Sequence, residues 1–184
     1  MNAADAGKGG FRLQPAGTAY AKQLAALHAQ CFSKGWSSLE FESFFERAGV
    51  FAAVAYHNAA PEAQPSLEQG PLRSDNTSRA GATQIAAGFI LCWIIEDVCD
   101  LLSIGVIPEF RREGVGQMLL DYGTTTARDM GASCIVLEVN INNVAAHAIY
   151  EANGYAKDGI RKAYYSNPDG TKADAVIFRK KLVG

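Results

Sequence analysis

Residues 101–116 read Leu101-Leu102-Ser103-Ile104-Gly105-Val106-Ile107-Pro108-Glu109-Phe110-Arg111-Arg112-Glu113-Gly114-Val115-Gly116, and the rest of the chain is organised around them. Leu101, Leu102, Ile104, Val106 and Ile107 form an apolar, β-branched run that predicts a buried strand. Pro108 closes it, since proline has no N–H to give to a ladder. A short basic turn with two glycines follows, and a helix starts directly behind it. Such a turn holds an anion. The first N–H groups of a helix have no internal partner, and the helix dipole places partial positive charge at the same point. Gly114 and Gly116 let the backbone approach a phosphate with no Cβ in the way. Arg111 and Arg112 add charge. The spacing is Gly-x-Gly, short of the dinucleotide fingerprint and without the Gly-Lys-Ser/Thr ending of the triphosphate loop. Read alone, the stretch also fits an ordinary solvated surface turn.

The helix behind the turn spans about 114–130, with Val115, Met118, Leu119, Tyr122, Thr126 and Met130 at helical spacing, so one face is directed to the core. Gly131 stops it. Cys134 to Val139 is a buried strand carrying one carboxylate, Glu138. Asn143 caps a short helix over 144–152, which Gly154 ends. Tyr155 to Ala163 and Ala173 to Leu182 form a closing strand pair joined by residues 164–170, Tyr164 and Tyr165 included. Upstream, Phe11 to Leu13 is a short strand, and Thr18 offers a cap for a helix that runs to about Cys31. Ser37 or Ser38 caps a second helix over 39–47. Val50 to Tyr56, Gln84 to Ile95 and Val98 to Ile107 are strands, the last two apolar on both faces and therefore central. Residues 58–82 hold three of the six prolines and little to bury, which predicts a long flexible insertion in a hairpin. Residues 1–9 predict a loose tail. The order β α α β β β α β α β β predicts antiparallel strands followed by one parallel strand–helix–strand unit, with a pocket where the parallel strands diverge.

The chain has 184 residues, 48% hydrophobic and 20% charged, with a net charge of −2. That is enough for one domain with a proper core, and it excludes a bulk binder of polyanions, so no direct contact with nucleic acid is expected. No apolar run reaches the roughly 18 residues of a membrane span, and the N-terminus lacks a signal core. Cys31, Cys92, Cys99 and Cys134 show no Cys-x-x-Cys spacing, and His28, His57 and His147 are scattered. Reduced thiols in a cytoplasmic protein without a metal are the expectation.

The pattern over about 101–178 resembles the GNAT acetyltransferase superfamily, whose phosphate turn reads Arg/Gln-x-x-Gly-x-Gly/Ala, met here by Arg111, Gly114 and Gly116. In more detail it is similar to the RimI-like N-alpha-acetyltransferases, which acetylate the N-terminal amine of a small-subunit ribosomal protein. Ile104-Gly105-Val106 with Pro108, Arg112 to Gly116, Leu137-Glu138-Val139 followed by Asn143, Ala148 to Glu151 with Gly154-Tyr155, and Arg161 with Tyr164-Tyr165 carry that similarity. Ahead of it, the order of elements and Trp36-Ser37 before the second helix agree. The resemblance implies one α+β domain over 1–184, the GNAT fold, with a mixed, mostly antiparallel sheet of about seven strands flanked by about four helices. It implies acetyl-CoA as acetyl donor and no metal. Its arm would lie along the backbone of Ile104, Gly105 and Val106. Its pyrophosphate would lie in the turn formed by Arg111, Arg112, Glu113, Gly114, Val115, Gly116 and Gln117, with Asn143 touching the arm. The partner would be a protein or peptide N-terminus, such as that of a ribosomal protein.

Acetyl transfer to an amine needs the neutral amine. An α-amino group, with pKa near 8, is easier to deprotonate than a lysine near 10.4. Glu138 is the candidate base, at the strand end nearest the expected pocket, where burial would make it a better base. A carboxylate paired to a cation is the structural alternative, and the resemblance favours the base. Tyr150 is the candidate acid for the departing thiolate, with core packing as its alternative. Trp36, Tyr164 and Tyr165 are candidate lining residues of the peptide groove. Asn140 stands where the RimI-like pattern has Arg, and Ala163 and Ser166 flank the tyrosine pair where it has Asn and Pro. These departures bear on the acceptor. A small-molecule amine or a lysine as acceptor, and a non-catalytic CoA-binding module, stay open as alternatives.

Overall fold

The computed structural model describes residues 10–58, 84–166 and 170–182. The expected tail at 1–9, and the expected insertion apart from residue 58, lie outside them. Seven strands form one sheet: β1 (Phe11–Ala16), β2 (Val50–Asn58), β3 (Gln84–Ile95), β4 (Val98–Val106), β5 (Cys134–Asn140), β6 (Ala156–Ser166) and β7 (Lys172–Lys181), in the order β1-β2-β3-β4-β5-β7-β6. Four helices accompany it: α1 (Ala21–Cys31), α2 (Ser38–Phe45), α3 (Val115–Asp129) and α4 (Val144–Ala152). Every neighbouring pair is antiparallel except β4 and β5, the ends of the strand–helix–strand unit. This is the expected α+β architecture.

The sheet is covered differently on its two faces. On one, Val115, Leu119, Leu120 and Ala127 of α3 are buried against Ile90, Cys92, Leu101, Ile135, Leu137 and Phe178. On the other, Leu24 and Leu27 of α1 and Phe41 of α2 are buried against Ala52, Val54, Phe89 and Leu91. The α1 and α2 cluster stops at β4. The residues that β5, β7 and β6 turn to that side, among them Glu138, Arg161 and Arg179, remain beside an open groove.

Local chemistry sets the element ends. Ser37 caps α2 in a reciprocal box: its hydroxyl accepts from the Glu40 N–H, and the Glu40 side chain accepts from the Ser37 N–H. Thr18 does not cap α1. It opens a single 3₁₀ turn (Thr18–Tyr20), and α1 begins at Ala21 without a side-chain cap. Pro15 and Ala16 extend β1, because an edge strand tolerates a residue without an N–H. Tyr164 and Tyr165 lie within β6, whereas the sequence placed them in its connecting loop. An irregularity in register between Arg161 and Tyr165, with Ala163 at φ 53°, carries the strand past the point where its alternation breaks.

Candidate active site

The parallel pairing of β4 with β5 covers only Val98–Cys134, Cys99–Ile135 and Asp100–Val136. Beyond Asp100 the strands diverge, and the edge of β4 toward β5 has no ladder partner among the described residues. A cleft of about 390 Å³ opens there, lined by Ile104, Gly105, Val106, Gly116, Asn143 and Tyr150 among others. Gly105 is held from behind by α1. A Cβ on it would lie 2.8 Å from the Cys31 Sγ and 2.9 Å from the Phe89 ring, so only glycine fits with α1 this close.

One end of the cleft is the turn into α3. Residues Pro108–Phe110 make a 3₁₀ turn, Arg111 is extended, Arg112 has φ 66°, and Gly114 has φ 85° at the cap of α3. A non-glycine residue in the left-handed region is strained, and such strain gathers at ligand sites. Nothing lies within 4 Å of a Cβ built on Gly114, so its backbone angle is the constraint there, and space is not. Arg111 Nε donates to the Val106 carbonyl at 3.1 Å, tying the turn back to β4. Glu113 is exposed and Val115 is core. The Gln117 side chain turns away from the anion turn: its amide pairs reciprocally with Asn153 at 2.6 and 2.9 Å and donates to Asp121. The Asn143 side chain lines the cleft while accepting from the Ala146 N–H as the cap of α4.

The cleft continues into the groove on the open sheet face. Phe32, Leu101, Leu102, Ser103, Glu138 and Tyr165 line both. Glu138 therefore stands at the junction, as expected, but it is not the buried carboxylate the sequence suggested. Its side chain is 26% exposed and pairs with Arg161 at 2.8 Å. The cause is its place on β5, facing the side that no helix covers among the described residues. The Tyr165 hydroxyl donates to the Glu138 carbonyl at 3.1 Å. Burial pushes the Tyr165 phenol up to about 12, with Tyr164 and Glu138 adding to it. Tyr150 lies deeper, buried against Tyr155 and Phe178. Desolvation holds its phenol well above the usual range, helped by Tyr165 and Cys92, so it stays protonated.

Trp36 and Tyr164 line the groove and take no part in the cleft. Trp36 is held by a residue the sequence reading passed over. His28 is buried, stacks on the indole at 4.7 Å and accepts the Trp36 backbone N–H on Nδ1 at 3.1 Å. Burial drops its pKa to about 4, although Glu40 pulls it upward. Its position four residues after Leu24, on the same face of α1, was a readable signal of burial. Asp100 was passed over too, although it is the only charged residue in β4.

A family profile described as acetyltransferase (GNAT) family matches residues 21–155. The [ribosomal protein bS18]-alanine N-acetyltransferase of Escherichia coli is 35% identical over 91 residues, 50% of this chain and 61% of that protein. The putative enzyme of that name from Bacillus subtilis is 31% identical over 81 residues, 44% of this chain and 54% of the relative. The aligned stretch thus spans less than two thirds of these relatives. The crystal structure of the Escherichia coli ribosomal-protein-S18-alanine N-acetyltransferase shares the fold, with a TM-score of 0.73 at 22% identity over 95% of each chain. So does Arabidopsis thaliana NAA60 in complex with acetyl-CoA, with a TM-score of 0.72 at 14% identity, covering 95% of this chain and 99% of that one. With the divergent parallel pair, the left-handed turn into α3 and a matching profile over most of its length, this chain belongs to the acetyltransferase (GNAT) family.

Proposed function

We propose that this protein moves the acetyl group of acetyl-CoA to the α-amine of a protein N-terminus, such as that of a small-subunit ribosomal protein, as one domain acting in the cytoplasm. One observation carries the reading: a cleft fit for the donor and a groove fit for the acceptor share a wall on which Glu138 and Tyr165 stand. The residues present suit acetyl-CoA. The unpartnered edge of β4 at Ile104, Gly105 and Val106 can pair with an amide-bearing arm as a strand would. The turn from Arg111 to Gly116 offers N–H groups and charge to a pyrophosphate, with the Gln117 backbone beside it. The relatives' names add the ribosomal acceptor.

When bound, acetyl-CoA supplies a thioester carbonyl. The chain's own groups do the rest. Backbone N–H groups of β4 stabilise charge on the carbonyl oxygen. Glu138, oriented by Arg161, takes the proton of the incoming amine directly or through water. Tyr150 keeps its proton and donates it toward the departing sulfur. Trp36, Tyr164 and Tyr165 wall the acceptor.

The test is thiol release from acetyl-CoA with short peptides bearing free or blocked N-termini, the product mapped by mass spectrometry. Release that needs a free N-terminus, with the acetyl on the α-amine, is expected. Release only with small amines or internal lysines would replace this acceptor. CoA binding without any turnover would leave a binding module.

A further inference from the structure

The cations that line the groove on the open sheet face are engaged elsewhere. Arg161 pairs with Glu138 at 2.8 Å and lies over the Tyr164 ring at 4.5 Å. Arg179 pairs with Asp158 at 2.8 Å and donates to the Cys134 thiol at 3.1 Å. The charge of Lys34, on the connection between α1 and α2, acts on Glu40. Asp100 is left over. It is half-buried, and no hydrogen bond or ion pair reaches its carboxylate among the described residues. Burial and the charge of Glu138 both make its ionised form costlier. Such a carboxylate is a cost to the fold until a ligand brings positive charge to it.

Its position tells which charge. Asp100 pairs in register with Val136, Glu138 is two residues further along β5, and all three line the groove, so they share one face of the sheet. Ordinary strand spacings set the Cα atoms of Asp100 and Glu138 about 8 Å apart. The next residues of β4, Leu101 and Leu102, line the cleft as well as the groove. The Tyr164 phenol feels both carboxylates: its hydrogen bond to Glu138 and its burial push it up, and the charge of Asp100 adds to the rise. Asp100 therefore stands beside the junction where an amine meets the acetyl group. We propose that Asp100 is a second catalytic carboxylate, which accepts a hydrogen bond from the attacking amine and stabilises the positive charge that develops on its nitrogen while Glu138 takes the proton. This rests on the reading of Glu138 as base and adds a partner to it, for a peptide and a small amine alike. A neutral primary amine brings two N–H bonds. As nitrogen bonds to the carbonyl carbon it becomes positive, and a fixed negative group aimed there lowers the barrier. One N–H bond breaks, its proton going to Glu138 and its electron pair staying on nitrogen. The other survives as the amide N–H and donates to Asp100 meanwhile. The C–S bond breaks with its pair on sulfur, which takes the Tyr150 proton, and solvent carries the proton from Glu138 back to Tyr150. Arg161 balances Glu138 but not Asp100, so the uncompensated carboxylate is the one left to face the nitrogen.

The experiment uses the full chain, the natural protein beside Asp100→Asn and Asp100→Glu, with free N-terminal peptides and small primary amines as acceptors. In Asp100→Asn, kcat should fall by about 10–100-fold, with the KM for acetyl-CoA unchanged and the thermal midpoint equal or higher, because an uncompensated carboxylate has been removed. Asp100→Glu should recover part of the rate. A structural role predicts the reverse, a lower midpoint with the rate per folded molecule unchanged. Binding to the CoA-loaded protein is measured at pH 7, where the amine is mostly ammonium, for an acceptor and for the same molecule with hydroxyl in place of the amine. The natural protein should prefer the amine by about tenfold, the worth of a charge-assisted hydrogen bond, and Asp100→Asn should lose most of that preference. A kcat within twofold of the natural one, or an amine preference that Asp100→Asn leaves intact, overturns the proposal and leaves the transferase reading standing. An amine preference that needs Asp100, without turnover of any acceptor, keeps Asp100 as the group that meets the amine and removes the transferase reading. Absence of both turnover and amine preference removes both.

Discussion

Glu138 and Tyr150 make different demands on their surroundings, and the structure meets them differently. Glu138 stands at the junction of cleft and groove, held by Arg161. Glu138→Gln keeps the size and a hydrogen-bonding oxygen for Arg161 but cannot take a proton. Turnover should fall by about 10²–10³-fold with CoA affinity retained, since the anion turn is untouched. A loss of stability without a loss of rate would make Glu138 a structural ion pair only. Tyr150 is buried and its phenol is raised by desolvation, so it holds its proton across the working range. Tyr150→Phe should lower kcat by about 10–100-fold and leave the KM for acetyl-CoA nearly unchanged. The sign of the pH dependence follows. The rate should rise as the acceptor amine deprotonates near pH 8 and then stay level to about pH 9.5, because Tyr150 does not ionise there. A fall above pH 8.5 in a full rate profile would point to another proton donor.

At the scale of elements, two left-handed residues carry separate consequences. Gly114 opens α3 at φ 85° with free space around it, so Gly114→Ala meets no clash and pays only the backbone penalty of about 1–2 kcal/mol. The turn relieves that strain by shifting its N–H groups, and calorimetric titration should show CoA binding weakened by about tenfold in a folded protein. Ala163 sits at φ 53° in β6, where its N–H donates to Asp174 at 2.9 Å. The RimI-like pattern has Asn there, a residue that tolerates this region far better. Ala163→Asn should therefore stabilise the protein by about 0.5–1 kcal/mol, raising the thermal midpoint by about 1–4 °C. The strand itself was hard to place from sequence. A bulge breaks the two-residue alternation that marks a strand, so Tyr164 and Tyr165 read as loop although they pair in β6.

At the scale of the whole molecule, His28 couples folding to acid. In the folded protein its pKa is near 4, and in the unfolded chain it returns to about 6.5. Between those values the unfolded ensemble binds the extra proton, so stability is lost as pH falls from 6.5 to 4, by about 3 kcal/mol in total. Denaturant unfolding at pH 7, 6, 5 and 4.5 should show that slope. His28→Asn, which keeps an acceptor for the Trp36 N–H but does not titrate, should flatten it.

By itself the sequence determined the order of the elements, the parallel unit at β4 and β5, the glycine turn into α3 and the stretch from Ile104 to Val106 as a cleft wall. Each of these is written in local periodicity, in proline and glycine placement, or in short motifs whose geometry follows from neighbouring residues. Tertiary structure alone decided that Glu138 is paired and part-exposed, that Gln117 turns to Asn153, that His28 braces Trp36, and that Asp100 has no cation beside it among the described residues. The physical reason is common to them. Which charges find partners depends on strands far apart in the chain being brought side by side. It also depends on α1 and α2 stopping at β4, so that the face of β5, β7 and β6 remains open to a ligand.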